Sequence, residues 1–426
     1  MSVGRFSNMS VRRWKAIGTL TAGSFGSMAA LQPGAHVLPS ALKVPHTTYT
    51  VALKSASCGK EHNSAHLATE SLPGAKHWQP VSESHLAGGG TLYTYSQNGQ
   101  TVEYPVPPKG FDPLTAPQSE LAEYGIPSRP SRSASDFDSW KSLWGSLGTV
   151  QTPNVWSVPS GEGVGSNPAS PSSVLQAIGS LFGNVQSNNW SGYIAQAPFY
   201  KNFTQVTSDT IQSTAVYTNC AHAEESNWVG LGAGEALFGG ANGGLIQDGT
   251  SIVYRSLLGT SGCGGIGGPC YYAWYEYLTG QGKGPSEINL SNVKIRHGDH
   301  IFESVNYIPS ESRVVFWILD TTSKTSQIAY LNKNTSRYYD GNTAEFITER
   351  PLINNQYLAP LYNYQTSKFY GTSITDYKNG RYAGSGTLGS FAPKPITMVD
   401  SNGHNMSSPS TLSSNGNFTD IWHRCN

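Results

Sequence analysis

The chain has 426 residues, 13% of them charged, and a formal net charge of zero. That balance leaves no electrostatic footprint for nucleic acid and no polybasic signal for a membrane surface. Its 47 glycines, 23 tyrosines and 10 tryptophans suit many short strands joined by polar turns, and the length allows two or three domains. Low charge with plentiful neutral polar residues also suits a secreted protein that works in acid.

Residues 1–30 read as an export signal: Arg12-Arg13-Trp14-Lys15, an apolar run over 16–25, then Ser27-Met28-Ala29-Ala30. The run is too short and too rich in glycine to cross a bilayer, so no membrane anchor is expected once the signal is removed. Residues 31–147 read as an N-terminal pro-region. Alternating residues at 91–95 and 101–104 around Asn98-Gly99 predict a hairpin, because Asn-Gly suits a tight turn with positive φ. A short helix is expected near Glu120-Leu121-Ala122-Glu123-Tyr124, stopped by Gly125 and Pro127. A second, capped by Ser135 or Asp136, carries Phe137, Trp140, Leu143, Trp144 and Leu147 at helical spacing, which predicts a packing face.

Residues 148–187 read as a linker, rich in Pro, Ser and Gly up to 173 and open to a protease. Val174, Ile178, Leu181 and Phe182 allow one further short helix within it. From 188 to 426 the texture is all-β: short runs of Val, Ile, Tyr, Phe and Trp between Gly, Asn, Ser and Pro. That predicts one large antiparallel sandwich or barrel. His297-Gly298-Asp299-His300 reads as a polar turn before a strand rather than a metal cluster. Of the five cysteines, Cys58, Cys220, Cys263, Cys270 and Cys425, an even number remains if the N-terminal part is removed. Cys263 with Cys270, and Cys220 with Cys425, are then candidate pairs. Without a C-x-x-C or suitably spaced histidines, neither a metal nor another cofactor is expected.

Strand parity points to a site. Burying Val229 and Leu231 turns Trp228 to the opposite face. Burying Ile246 does the same for Gln247 and sends Asp248 inward. Burying Ala273, Tyr275 and Tyr277 turns Trp274 and Glu276 out, and burying Ala344 and Phe346 turns out Glu345. If these strands share a sheet, Trp228, Gln247, Trp274, Glu276 and Glu345 line the aromatic cleft of one concave face. A one-residue slip in any strand would break it. Glu349 falls on the side of Glu345 and reads as an ion-pair or rim residue.

Asn189-Trp190-Ser191-Gly192-Tyr193, Asn227-Trp228-Val229-Gly230-Leu231, Leu245-Ile246-Gln247-Asp248-Gly249, Ala273-Trp274-Tyr275-Glu276-Tyr277, Gly298-Asp299 and Ala344-Glu345-Phe346-Ile347-Thr348-Glu349 occur in the order found in the glutamic peptidases, the eqolisin family. Phe111-Asp112-Pro113-Leu114 and Leu121-Ala122-Glu123-Tyr124-Gly125 resemble the lead-in of its bacterial members. The resemblance implies a lectin-like sandwich of two curved antiparallel sheets, polypeptide substrates, and a catalytic pair at Gln247 and Glu345. Trp190, Trp228, Trp274 and Glu276 would then shape the substrate cleft, and a monomer is expected. The glycine-rich stretch at 234–244 and Asp248 after Gln247 depart from the fungal pattern. The alternatives are a sandwich-fold glycosidase using Glu276 and Glu345, and a sugar-binding lectin without catalysis.

Overall fold

Strands built from β-branched and aromatic residues dominate the computed structural model, and two short helices, Gln118–Glu123 and Phe137–Trp144, are its α-helical content among the described residues. The structure describes residues 76–426 except 98, 127, 134–136, 146, 158–184, 199–201, 219, 221–222, 233–243, 256–267, 280–286, 333–334, 354–356 and 379–380. The expected export signal, Cys58, Cys263, both candidate cap residues and the helix expected within 174–182 lie outside the described residues.

One run of antiparallel strands carries the predicted face. Its order is Lys76–Trp78, Val155–Ser157, Ile288–Leu290, Gly268–Leu278, Leu245–Arg255, Glu224–Gly232, Thr343–Glu349, Trp190–Gln196 and Lys394–Val399. A second run contains Thr91–Gln97, Gln100–Val106, Thr325–Asn332, Arg313–Asp320, His300–Ile308, Asn202–Ile211 and Thr366–Lys378. Strands Asn405–Pro409 and Phe418–Trp422 join the two through continuous pairing. Val229, Leu231, Ile246, Tyr275 and Phe346 from the first run pack with Phe203, Val305 and Phe316 from the second in one interior core. Tyr275 stacks on Phe316 with ring centroids 4.8 Å apart. The expected two-sheet antiparallel sandwich is present.

The predicted hairpin spans Thr91–Gln97 and Gln100–Val106, with Gly99 at φ +77°. The first helix ends before Gly125, whose φ of +71° is cheap only without a side chain. The turn at Gly298-Asp299 leads into the strand that begins at His300. Cys220 and Cys425 form a disulfide, and Cys270 is disulfide-bonded as well.

From residue 76 onward, the N-terminal region is woven into the sandwich. Gln100–Val106 and Thr149–Val150 pair with Thr325–Asn332, so strands already begin inside the expected linker. Val155–Ser157 bonds to Ile288–Leu290 at the edge of the first run. Both helices lie on the outer face of the second run, where Leu121, Tyr124, Trp140, Trp144 and Leu147 pack against Val315, Trp317, Leu319, Ile328 and Tyr330. The reason is visible in Arg313-Val314-Val315-Phe316-Trp317-Ile318-Leu319-Asp320. This strand is apolar on both faces and needs cover on both. Trp144 is 2% exposed and stacks on Trp317 with centroids 4.6 Å apart. Replacing Trp144 with alanine should cost about 3–5 kcal/mol, measured by urea unfolding. A loss below about 1 kcal/mol would show that this layer is not part of the folding unit.

Candidate active site

Register brings the six predicted site residues onto one face. Gly230 lies opposite Gln247 on one side and opposite Glu345 on the other, and Gln247 lies opposite Glu276. The row across the sheet is therefore Glu276, Gln247, Gly230, Glu345. Two residues along, a parallel row reads Trp274, Gly249, Trp228, Ile347. Trp190 pairs with Glu349 and shares the same face. Each row has one glycine beside its functional or bulky side chains. A methyl group at Gly249 would meet the Asn227 carbonyl oxygen at 2.2 Å, and one at Gly230 would meet the Trp228 ring at 2.9 Å. Gln247 and Glu345 are two strand spacings apart, roughly 9.5 Å between backbones. Between them lies a residue with no side chain, and the Trp228 ring and Leu245 pack over it.

The face differs from the expected open cleft. Gln247, Glu345, Trp228 and Trp274 are fully buried, Glu276 is 1% exposed and Trp190 is 2% exposed. Trp190, Ile194, Trp228, Leu245, Trp274, Leu278, Ile347 and Ile396 form an apolar cluster of their own, with Trp190 edge-on to Trp228 at 5.2 Å. Parity assigns these side chains to the correct side of the sheet, but that side is a second core.

Burial governs the electrostatics. Glu345 has its pKa pushed well above the ordinary carboxylate range by burial, with Asp340 adding to the rise. Thr343, two residues earlier on the same face, acts in the other direction, but its hydroxyl donates to the Gly232 carbonyl at 2.5 Å. The Gln247 amide donates from Nε2 to Glu276 Oε2 at 2.7 Å. Glu349 is a correction: it is fully buried, not at a rim. Its Oε2 accepts from Trp228 Nε1 at 2.8 Å and its Oε1 from Asn189 Nδ2 at 3.2 Å. Burial raises its pKa to about 8 against these bonds. Glu287 also faces this group of carboxyls, and burial with Glu276, Glu224 and Glu349 nearby pushes its pKa well up. Its position just before Ile288 carried no motif, and the sequence reading missed it. Asp248 points to the interior as expected, where Oδ2 accepts from the Trp317 backbone N–H at 3.1 Å. Among the described residues no group of three or more His, Cys, Asp or Glu side chains is arranged to hold a metal.

The sandwich therefore carries one carboxyl and one amide in register on either side of a glycine. The model of the Peptidase A4 family matches residues 188–419, more than half of the chain. The chain belongs to that family and is a peptidase of the glutamic type, with polypeptide substrates. A comparison with curated proteins finds no match. Among solved structures, the chain is similar to scytalido-glutamic peptidase with a peptide-based transition state analog, at 18% identity and a TM-score of 0.40, covering 55% of this chain and 98% of that one. It is similar to SCP-B, an eqolisin family member in complex with the tripeptide Ala-Ile-His, at 16% identity and TM-score 0.38 over 55% and 98% of the two chains. Aspergilloglutamic peptidase from Aspergillus niger matches at 17% identity and TM-score 0.35 over 47% and 99%.

Behind the site, two further carboxyls are buried, and among the described residues neither forms a salt bridge. Glu225 accepts from Asn227 Nδ2 at 2.5 Å and Asp420 from Ser191 Oγ at 2.9 Å. Burial raises Glu225 to about 8 and Asp420 to about 7. In the unfolded chain such groups lose their protons near pH 4, so between about pH 4 and 8 the folded form binds more protons than the unfolded one. With Glu349 they make folding most favourable in acid, and that stability is lost as pH rises through this window. The thermal midpoint should be higher at pH 4 than at pH 8; a midpoint that rises with pH across that interval would contradict this account.

Proposed function

We propose that the chain is a secreted acid endopeptidase in which Glu345 is the general base and then the general acid, and Gln247 stabilises the oxyanion. The observation that carries this reading is the shared register of both residues on Gly230. Glu345 takes a proton from water as that water attacks the scissile carbonyl carbon. The Gln247 amide donates to the oxyanion that develops, and it does so without titrating. Glu345 then returns the proton to the leaving amine. As base Glu345 must be ionised, and water and substrate at the site lower the burial cost that keeps it neutral. Secretion rests on the export-signal pattern of residues 1–30 together with the Cys220–Cys425 disulfide, which persists in an oxidising compartment.

The glycosidase reading is disfavoured by the same register. The strand carrying Gln247 stands between Glu276 and the rest of the row, and Glu276 Oε2 accepts from Gln247 Nε2 instead of facing Glu345 across a sugar. The test is casein cleavage by purified protein at acid pH, with Glu345→Gln and Gln247→Ala alongside the parent. Glu345→Gln should reduce turnover by at least about 10³-fold and Gln247→Ala by about 10²–10³-fold. Full activity in either variant would remove that residue from the mechanism.

A further inference from the structure

We propose that Glu276 is a positioning residue for Gln247, setting which end of the amide faces the reacting carbonyl; this rests on the Gln/Glu reading above. A glutamine amide is nearly symmetric in shape, with a donor at one end and an acceptor at the other. To stabilise an oxyanion it must present nitrogen. Rotation by half a turn would present oxygen, and the site would repel the charge it has to hold. Something must make the two orientations unequal in energy.

Glu276 does this from the adjacent strand. It lies opposite Gln247 in the antiparallel register, on the side away from Gly230 and Glu345. Its Oε2 accepts from Gln247 Nε2 at 2.7 Å, a charge-assisted geometry when Glu276 is ionised. The amide nitrogen has two hydrogens. Glu276 takes one, which orients the other for the oxyanion. The neighbouring residue Trp274 lies on the same face and is fully buried, so the Glu276 side chain emerges among packed groups that limit its rotamers.

Glu276 is thereby withdrawn from direct contact with substrate, the role the family resemblance implies for it. Its charge state then matters for turnover. Ionised, it only accepts, and it pairs with the nitrogen end. Protonated, its O–H can donate to Gln247 Oε1, and the reversed amide becomes the better partner. Among the described residues, the carboxyls of Glu287 and Glu349 face it, with Glu224 close to Glu287. The two charge states of Glu276 therefore select opposite amide orientations, which acid activity can report.

The experiment measures kcat and KM for casein-derived peptides across acid pH in the parent, Glu276→Gln, Gln247→Ala and the double variant. Glu276→Gln should lower kcat about a hundredfold, the cost of a misplaced reacting group, with KM nearly unchanged. The acid limb of kcat should reflect two protons in the parent, from Glu345 and Glu276, and one in Glu276→Gln. Adding Glu276→Gln to Gln247→Ala should cost nothing more, because the first residue acts only through the second. Should Glu276→Gln fail to fold, Glu276→Asp keeps the acceptor charge on a shorter stem and should lower kcat while keeping the two-proton limb. Parent-like kcat in Glu276→Gln, a rise in KM that accounts for the loss, additive losses, or a one-proton limb in the parent would overturn the proposal. Full activity of Gln247→Ala would instead sink the Gln/Glu reading beneath it.

Discussion

The site depends on the missing side chain at Gly230. Neighbouring strands in a sheet place side chains on one face about 4.8 Å apart, too close for two long polar groups to admit a reactant between them. Skipping a strand doubles that distance, but any side chain on the skipped strand would stand directly between the two groups. Gly230 puts no side chain of its own between Gln247 and Glu345, so the Trp228 ring can lie over it, and Gly249 lets Trp228 close against its backbone two residues away. The glycines of the motifs Trp228-Val229-Gly230 and Gln247-Asp248-Gly249 are therefore as much part of the site as its polar residues. Each is wedged against a neighbour that a methyl group would strike.

The same sheet buries carboxyls on both of its faces. Apart from the reacting row, Glu287 and Glu349 lie on the site face, and Glu225 and Asp248 behind it. No lysine or arginine forms a salt bridge with any of them among the described residues. An unpaired buried carboxylate is costly, whereas a protonated carboxyl is a hydrogen-bond donor and acceptor of modest cost. A chain with only 13% charged residues that nevertheless hides acids in its interior is suited to conditions that keep them protonated.

Alternation was enough to assign Trp228, Gln247, Trp274, Glu276 and Glu345 to one face, because period-2 geometry leaves no freedom once one neighbour is buried. It was not enough to say what lies over that face. Parity distinguishes two sides of a strand but not an open side from a packed one, so the cleft was expected where a second core stands. Glu349 illustrates the loss: its side was correct, but its bonds to Trp228 and Asn189 come from strands distant in sequence. The integration of the N-terminal region did leave a local trace. Val314 to Leu319 is apolar at every position, the mark of a strand covered on both faces, and the amphipathic stripe of Phe137, Trp140 and Trp144 was the matching cover.

The pairing of one carboxyl with one amide follows from the same geometry. Two carboxyls aimed at a shared water across Gly230 would titrate as a pair, and each would shift the other's pKa with every change in protonation. With an amide at Gln247, the proton carrier at Glu345 is governed by its own burial and by the water that reaches it. The drawback is that an amide has no charge to orient it, and either of its ends fits the same space. The strand on the far side of Gln247 meets that need with Glu276, at the one position in register with it. The row Glu276, Gln247, Gly230, Glu345 thus separates three requirements over four strands: orienting the donor, leaving room for the reactant and moving the proton.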